Sequence, residues 1–180
     1  MKLTTSIVRI LVGILFIVSG LVKANDPLGL AYKMQEFFEV WNTGLAASAF
    51  GAKNVLISFF HYLHNQALAL SVIMITLEIV AGVALLIAWQ KRAVLWLLLV
   101  LIVFFTFLTG YAYASGKFKD CGCFGDCLPI TPFASFLKDV ALLLAILVLF
   151  FNQKFIQPLT TKKVQWAVMA LALFGTLFFQ

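Results

Sequence analysis

Five apolar runs, each about long enough to cross a lipid bilayer, constrain this chain more than any other feature. They cover residues 5–24, 67–89, 93–114, 133–151 and 164–180. The hydrocarbon core of a bilayer is crossed by about 20 apolar residues in a helix. Only 11% of the residues are charged, against about a quarter in a soluble domain. We therefore predict an all-α membrane protein whose solvent is the lipid bilayer.

The runs predict two parts along the chain. Residues 1–151 would form a four-helix transmembrane bundle, and residues 152–180 a cytoplasmic loop followed by a fifth transmembrane helix. The sequence ends within apolar residues, so we expect the natural chain to continue beyond it. A signal peptide is the alternative interpretation of the first run, because a basic start precedes a short apolar core. The run instead ends in Lys23-Ala24-Asn25-Asp26-Pro27, which is typical of the entry to a loop.

The segment between the first two spans, residues 28–66, has a different character. One face of this segment is apolar, and lysines and glutamates lie on the other faces. This pattern predicts an amphipathic helix in the membrane interface or packed over the bundle. Its first half repeats apolar residues at intervals of three and four: Leu28, Ala31, Met34, Phe37, Phe38, Trp41 and Leu45.

Basic residues predict the orientation of the chain. They are scattered along it instead of clustered, so the net charge of +6 does not indicate nucleic-acid binding. The positive-inside rule favours a cytoplasmic N-terminus and a periplasmic loop between the third and fourth spans of a multi-pass protein in a bacterial inner membrane. One side of the membrane would carry seven basic residues without acidic neighbours: Lys2, Arg9, Lys91, Arg92, Lys154, Lys162 and Lys163.

All three cysteines lie in that predicted periplasmic loop, at Cys121, Cys123 and Cys127. Thiol–disulfide exchange needs a thiolate, a second sulfur nearby and access for a partner. A Cys-x-Cys disulfide closes a small strained ring, and strain raises its reduction potential. The spacing predicts that Cys121 and Cys123 exchange, with Cys127 as a resolving or accessory thiol.

Two other interpretations of these cysteines remain open. A static disulfide would staple the loop of a non-catalytic scaffold or partner-binding subunit, leaving one free thiol. Alternatively, three thiolates would suit Cu(I), and His61 and His64 would add nitrogen ligands. The two histidines are three residues apart and share a helical face beside the start of a span, where interfacial histidines are common.

Two carboxylates lie within the predicted spans. Glu78 lies near the middle of the second span, where a charge costs about 2.5–3.5 kcal/mol, so we predict that it faces the bundle interior, protonated or paired. It would handle a proton, bond a buried quinone or form a helix–helix hydrogen bond. Asp139, beside Lys138, is predicted as a partly hydrated interface residue, with tuning or protonation of the thiols as the alternative. Arg9 and Lys23 are expected to snorkel to opposite interfaces.

Several stretches resemble known membrane proteins. The first and second spans resemble those of DoxX-like membrane proteins. In this resemblance, Glu78 and Gly82 belong to the second helix of the family. The cysteine run resembles the methylamine-utilisation MauE branch of that superfamily, and Lys138-Asp139 its fourth helix. The opening carries the pattern Arg9-x3-Gly13-x2-Phe16-x2-Ser19-Gly20-x2-Lys23 and then Asp26-Pro27-Leu28-Gly29, and the loop carries Cys121-Gly122-Cys123-Phe124-Gly125.

This resemblance covers residues 5–151 and implies a four-helix bundle with a role in periplasmic redox chemistry or disulfide-dependent protein maturation. It also invites comparison with membrane disulfide oxidases of the DsbB and vitamin K epoxide reductase type, which pass electrons to quinone. Those enzymes use Cys-x2-Cys pairs, and this sequence has none. The predicted function is an inner-membrane thiol–disulfide oxidoreductase or electron relay, partnered by a periplasmic thioredoxin-like or substrate protein.

Overall fold

The computed structural model describes residues 2–47, 51, 53–116, 131–157 and 160–179. These residues contain helices and turns and no β-strand. A short 3-10 turn, Gln153–Phe155, precedes the last helix. The seven α-helices are α1 (Lys2–Ala24), α2 (Pro27–Ala46), α3 (Lys53–Asn65), α4 (Ala67–Ile87), α5 (Lys91–Ser115), α6 (Pro132–Phe151) and α7 (Lys162–Phe179).

Helices α1 and α4 run antiparallel and approach each other closely at glycines. A Cβ placed on Gly82 would lie 2.9 Å from the carbonyl oxygen of Gly13 and 2.8 Å from Cγ1 of Ile17. A Cβ placed on Gly20 would lie 2.5 Å from Cγ1 of Ile79, about one helical turn away from the contact at Gly82. Small residues allow such close backbone approach in membrane helices, where packing drives helix association. The register between α1 and α4 is therefore set by glycines.

Helices α5 and α6 complete a four-helix bundle with α1 and α4. They also run antiparallel, since Trp96 packs edge-on against Phe150 at one end and Gly110 faces Phe136 toward the other. Apolar side chains fill the centre of this bundle, and the most buried of them include Leu95, Leu98, Ile146 and Leu149.

Helices α2 and α3 form a hairpin that covers one side of the bundle. The side chain of Asp26 caps α2 by accepting a hydrogen bond of 2.9 Å from the Gly29 backbone N–H, and Pro27 starts the helix. Most of the predicted apolar face is buried, with Leu28 as an exception at 50% exposed. None of the side chains of α3 is buried. The buried residues of the α2 face are Ala31, Met34, Phe37 and Phe38.

Helix α7 packs against α4. The Gln165 side-chain amide donates to the Ile87 carbonyl oxygen at 3.2 Å, and Trp89 meets Trp166 edge-on. In the described residues, α1, α4, α5, α6 and α7 are each long and apolar enough to cross a membrane. The predicted fold class, an all-α membrane protein, is confirmed. The division into two parts at residue 151 stays a prediction.

Candidate functional site

A buried ion pair joins α1 to α4 inside the bundle. Lys23 Nζ donates to Glu78 Oε1 at 2.6 Å and to Oε2 at 2.8 Å, and it also contacts Ser19 Oγ at 3.3 Å. The two charged side chains are only 2% and 4% exposed. A lysine ammonium carries three N–H donors. All three therefore have an acceptor, and the pair is fully hydrogen-bonded from the lysine side.

The expectation that Lys23 snorkels to an interface is wrong. The glycine contacts between α1 and α4 bring its side chain level with Glu78, so the ammonium pairs with a carboxylate inside the bundle instead of reaching water. The ring of Phe105 covers the ammonium, with its centroid 4.3 Å from Nζ. This cation–π contact closes the remaining face of the lysine head group.

A second charged pair lies on α6. Asp139 Oδ1 is 3.0 Å from Lys138 Nζ, and Oδ2 is 3.1 Å from the hydroxyl of Thr109 on α5. Asp139 is 1% exposed. The prediction that this side chain is partly exposed to bulk water is therefore wrong, and its position at the membrane interface stays a prediction. The packing of α5 against α6 covers this carboxylate, although Asp139 is only seven residues from the start of α6.

The two pairs face one small cavity between the four bundle helices. Its volume is about 20 Å³, which exceeds the roughly 10–15 Å³ that one water molecule requires. Apolar side chains complete the wall. The polar lining consists of Ser19, Lys23, Glu78, Lys138 and Asp139, and the apolar lining of Leu15, Phe16, Ile102, Phe105 and Leu142.

The charges around this cavity balance, with two ammonium and two carboxylate groups. Buried charges are costly even when paired, and ionisable residues within membrane segments mark functional sites more often than structural ones. An arrangement of two carboxylates with different partners is able to hold a proton on one of them. We take this buried charge centre, defined by Lys23, Glu78, Lys138 and Asp139, as the candidate functional site.

The site residues that sequence reasoning missed are Lys23, Ser19, Thr109 and Lys138. Ser19 and Lys23 are four residues apart, so they share one face of α1, and that spacing is a local signal. Thr109 has a weaker signal, since threonines in membrane helices commonly bond their own backbone. Its partner on α6 could be found only from the packing of the two helices.

The other predicted site residues are not brought to this centre. Cys121, Cys123 and Cys127 lie outside the described residues. His61 is exposed and His64 half-buried on α3. Within the described ranges, no three or more histidine, cysteine, aspartate or glutamate side chains group as a metal site would. Copper binding that includes the cysteines stays a prediction.

Comparison with known proteins identifies the family. No curated protein matches the chain, and no solved structure does. The family described as methylamine utilisation protein MauE matches residues 52–152, more than half of the chain. This match spans Glu78, the segment from Cys121 to Cys127 (the cysteine segment) and Asp139, and it leaves Lys23 outside. The wider DoxX-like resemblance stays a prediction. The chain belongs to the MauE family of methylamine utilisation proteins.

Proposed function

We propose that this protein is a thiol–disulfide oxidoreductase or electron relay of a bacterial inner membrane. One observation carries the proposal. The three cysteines lie between α5 and α6, and these two helices supply Phe105, Thr109, Lys138 and Asp139 to the surroundings of the buried charge centre. A segment rich in thiols thus joins the ends of two helices that hold ionisable groups in an apolar bundle.

The proposed orientation has the N-terminus in the cytoplasm and the cysteine segment in the periplasm. Arg9 donates to the Gln157 carbonyl oxygen at 3.0 Å, and Lys91 donates to that of Ile156 at 3.1 Å. These contacts gather α1, the α4–α5 turn and the connection to α7 at one end of the bundle. The basic residues of those segments therefore share an end, which is what the positive-inside rule requires of the cytoplasmic side.

The proposed step is a reversible exchange of two electrons with a periplasmic protein. A strained Cys121–Cys123 disulfide favours oxidation of a partner dithiol, and the reverse direction reduces a partner disulfide. In that reverse direction, the Cys121 thiol loses its proton and the thiolate attacks one sulfur of the partner, which breaks the partner disulfide and forms a mixed disulfide. Deprotonated Cys123 then attacks the Cys121 sulfur and releases the partner as a dithiol. The partner takes up two electrons and two protons, and the Cys121–Cys123 pair becomes oxidised. The Cys127 thiolate would reopen that disulfide by attack on the Cys123 sulfur, which forms a Cys123–Cys127 disulfide and releases Cys121 as a thiolate.

Thiol trapping in intact membranes tests this proposal. Rapid acid quenching and alkylation should show that the ratio of reduced to oxidised cysteines follows the redox poise of the medium. A Cys123→Ser variant should accumulate a mixed disulfide on Cys121, because the resolving attack is lost, and Cys121→Ser should not. Cysteines that stay in one state at every poise, with no mixed disulfide, would contradict the proposal.

A partner-binding subunit with a stapled loop is the second candidate, and one observation favours it. On α3, three large apolar side chains share the exposed face at spacings of four and three residues: Val55, Phe59 and Tyr62. If this candidate is correct, replacing both Cys121 and Cys123 with serine should leave function intact whenever the protein accumulates normally. Loss of function at normal abundance would favour the oxidoreductase instead.

A further inference from the structure

The two carboxylates of the buried charge centre differ in their hydrogen-bond partners, and that difference assigns them different roles. We propose that Asp139 is the group that takes up and releases a proton, with Thr109 as its reversible hydrogen-bond partner. Glu78 is then a fixed counter-ion for Lys23. The link from this proton to the cysteines rests on the proposed function, whereas the assignment of roles rests on the geometry alone.

The Lys23–Glu78 pair disfavours an extra proton. The three hydrogens of the ammonium have three acceptors, the two oxygens of Glu78 and the hydroxyl of Ser19. The two side chains are only 2% and 4% exposed. A proton added to Glu78 would therefore leave the buried Lys23 ammonium without a charged partner, which is costly.

Asp139 has the opposite arrangement, because its partner is a hydroxyl that can donate or accept. The single hydrogen of Thr109 has three acceptors in reach: Asp139 Oδ2 at 3.1 Å, the Phe105 carbonyl oxygen at 3.0 Å and the Thr106 carbonyl oxygen at 3.2 Å. When Asp139 is ionised, Thr109 donates to it. When Asp139 is protonated, its own O–H donates to Thr109, which turns to a backbone carbonyl. Both forms are hydrogen-bonded.

The groups facing Asp139 allow its charge to change. Lys138 on the same helix contacts Oδ1, and its side chain is 29% exposed, so the ammonium also reaches the outside of the bundle. Across the cavity, α1 presents Lys23 and α4 presents Glu78, which neutralise each other. These are the charged side chains lining the cavity among the described residues. Neutralising Asp139 therefore leaves the other pair intact.

The position of Asp139 suits exchange with the cysteine segment. Asp139 lies seven residues into α6, about 10 Å below the start of the helix that follows the cysteines. A cavity with room for one water and several polar groups offers the proton a place beside it. The thiols that must lose protons before attack, in the proposed function, lie in the segment just before this helix.

Infrared difference spectroscopy of the full chain in lipid nanodiscs tests the assignment. The measurement uses a variant with Cys121, Cys123 and Cys127 all replaced by serine, so it does not depend on thiol chemistry. Because the chain contains seven aspartates and glutamates, the comparison is between this parent variant and the same variant with Asp139→Asn added. We expect one component of the protonated-carboxyl C=O stretching region, the Asp139 band, to disappear as the pH is raised in the parent and to be missing after Asp139→Asn. Identical spectra of the two proteins across the pH range would overturn the proposal.

A matched pair of threonine variants tests the reversible partner. Thr109→Val removes the hydroxyl that faces Asp139 and should shift the frequency of the band, because that frequency reports the hydrogen bond made by the carboxyl group. Thr106→Val lies on the same helix and removes a hydroxyl that bonds the Ile102 carbonyl oxygen at 2.7 Å, so it should leave the band in place. Equal effects of the two variants would count against Thr109.

A second measurement, on the protein with its cysteines, links the proton to the thiols. The pH profile of alkylation of the cysteine segment should shift in Asp139→Asn and not in Thr106→Val. If the infrared band behaves as expected and this profile does not shift, Asp139 is the exchanging carboxyl but does not serve the thiols. That outcome would overturn the link and leave the redox proposal to be decided by thiol trapping.

Discussion

At the scale of single residues, the pairing of Lys23 with Glu78 illustrates how costly a lone buried charge is. The carboxylate and the ammonium are almost fully removed from the surface, and each supplies the other's main hydrogen bonds. Breaking such a pair by removing one partner leaves the other uncompensated, at a cost of about 3–5 kcal/mol. Removing both partners avoids that penalty.

Lys23→Met should therefore lower the free energy of unfolding by about 3–5 kcal/mol. The double variant Lys23→Met, Glu78→Met should recover most of this loss, because neither charge is then buried alone. Unfolding in mixed micelles of the parent, Lys23→Met, Glu78→Met and the double variant, analysed as a double-mutant cycle, measures both effects.

The control is Lys33→Met. Lys33 contacts Glu36 at 3.2 Å in a partly exposed pair on α2, so its replacement should cost less than about 1 kcal/mol. Equal losses from Lys23→Met and Lys33→Met would mean that the buried pair contributes no more than an exposed one.

At the scale of helices, the glycine contacts between α1 and α4 hold the ion pair in register. Gly82 faces the backbone of α1, and the sequence suggested only that this glycine belongs to a span. A methyl group there would force the two helices apart or shift one along the other. Either change would move Glu78 relative to Lys23.

Gly82→Ala should destabilise the bundle by about 1–3 kcal/mol, which is typical of overpacking at a tight contact. Gly175→Ala is the matched control, since nothing lies within 4 Å of a Cβ at that position of α7. Because alanine favours a helix over glycine, the control should be neutral or slightly stabilising. Thermal unfolding of the two purified variants distinguishes them, and a neutral Gly82→Ala would contradict close packing of α1 on α4.

At the scale of the whole molecule, the arrangement of basic residues makes the orientation testable. In intact spheroplasts, a membrane-impermeant maleimide should label the native cysteines after reduction, because the cysteine segment is proposed to face the periplasm. In a cysteine-free background, Gln90→Cys should be labelled only after permeabilisation. Gln90 is exposed in the α4–α5 turn beside the basic pair that would face the cytoplasm. Labelling of Gln90→Cys in intact spheroplasts would reverse the orientation.

Much of the fold follows from the sequence because its signals are local. Apolar runs long enough to span a bilayer predict membrane helices without knowledge of their neighbours, as at α5. The three-and-four spacing of Met34, Phe37 and Phe38 predicts which face of α2 is buried, and Glu78 in mid-span predicts a carboxylate turned inward. The chemistry of the cysteine segment stays a prediction, since those residues lie outside the described structure.

The tertiary structure alone decided the partners at the buried charge centre. Lys23 and Glu78 are 55 residues apart, and Thr109 and Asp139 are 30 apart. From the sequence alone, a lysine at the end of an apolar run is equally compatible with a side chain that reaches the membrane interface and with one that is buried in the bundle. Helix packing decides between the two, because the close contacts of Gly13, Gly20 and Gly82 set which residues of α1 and α4 come level. No periodicity within one helix contains that register.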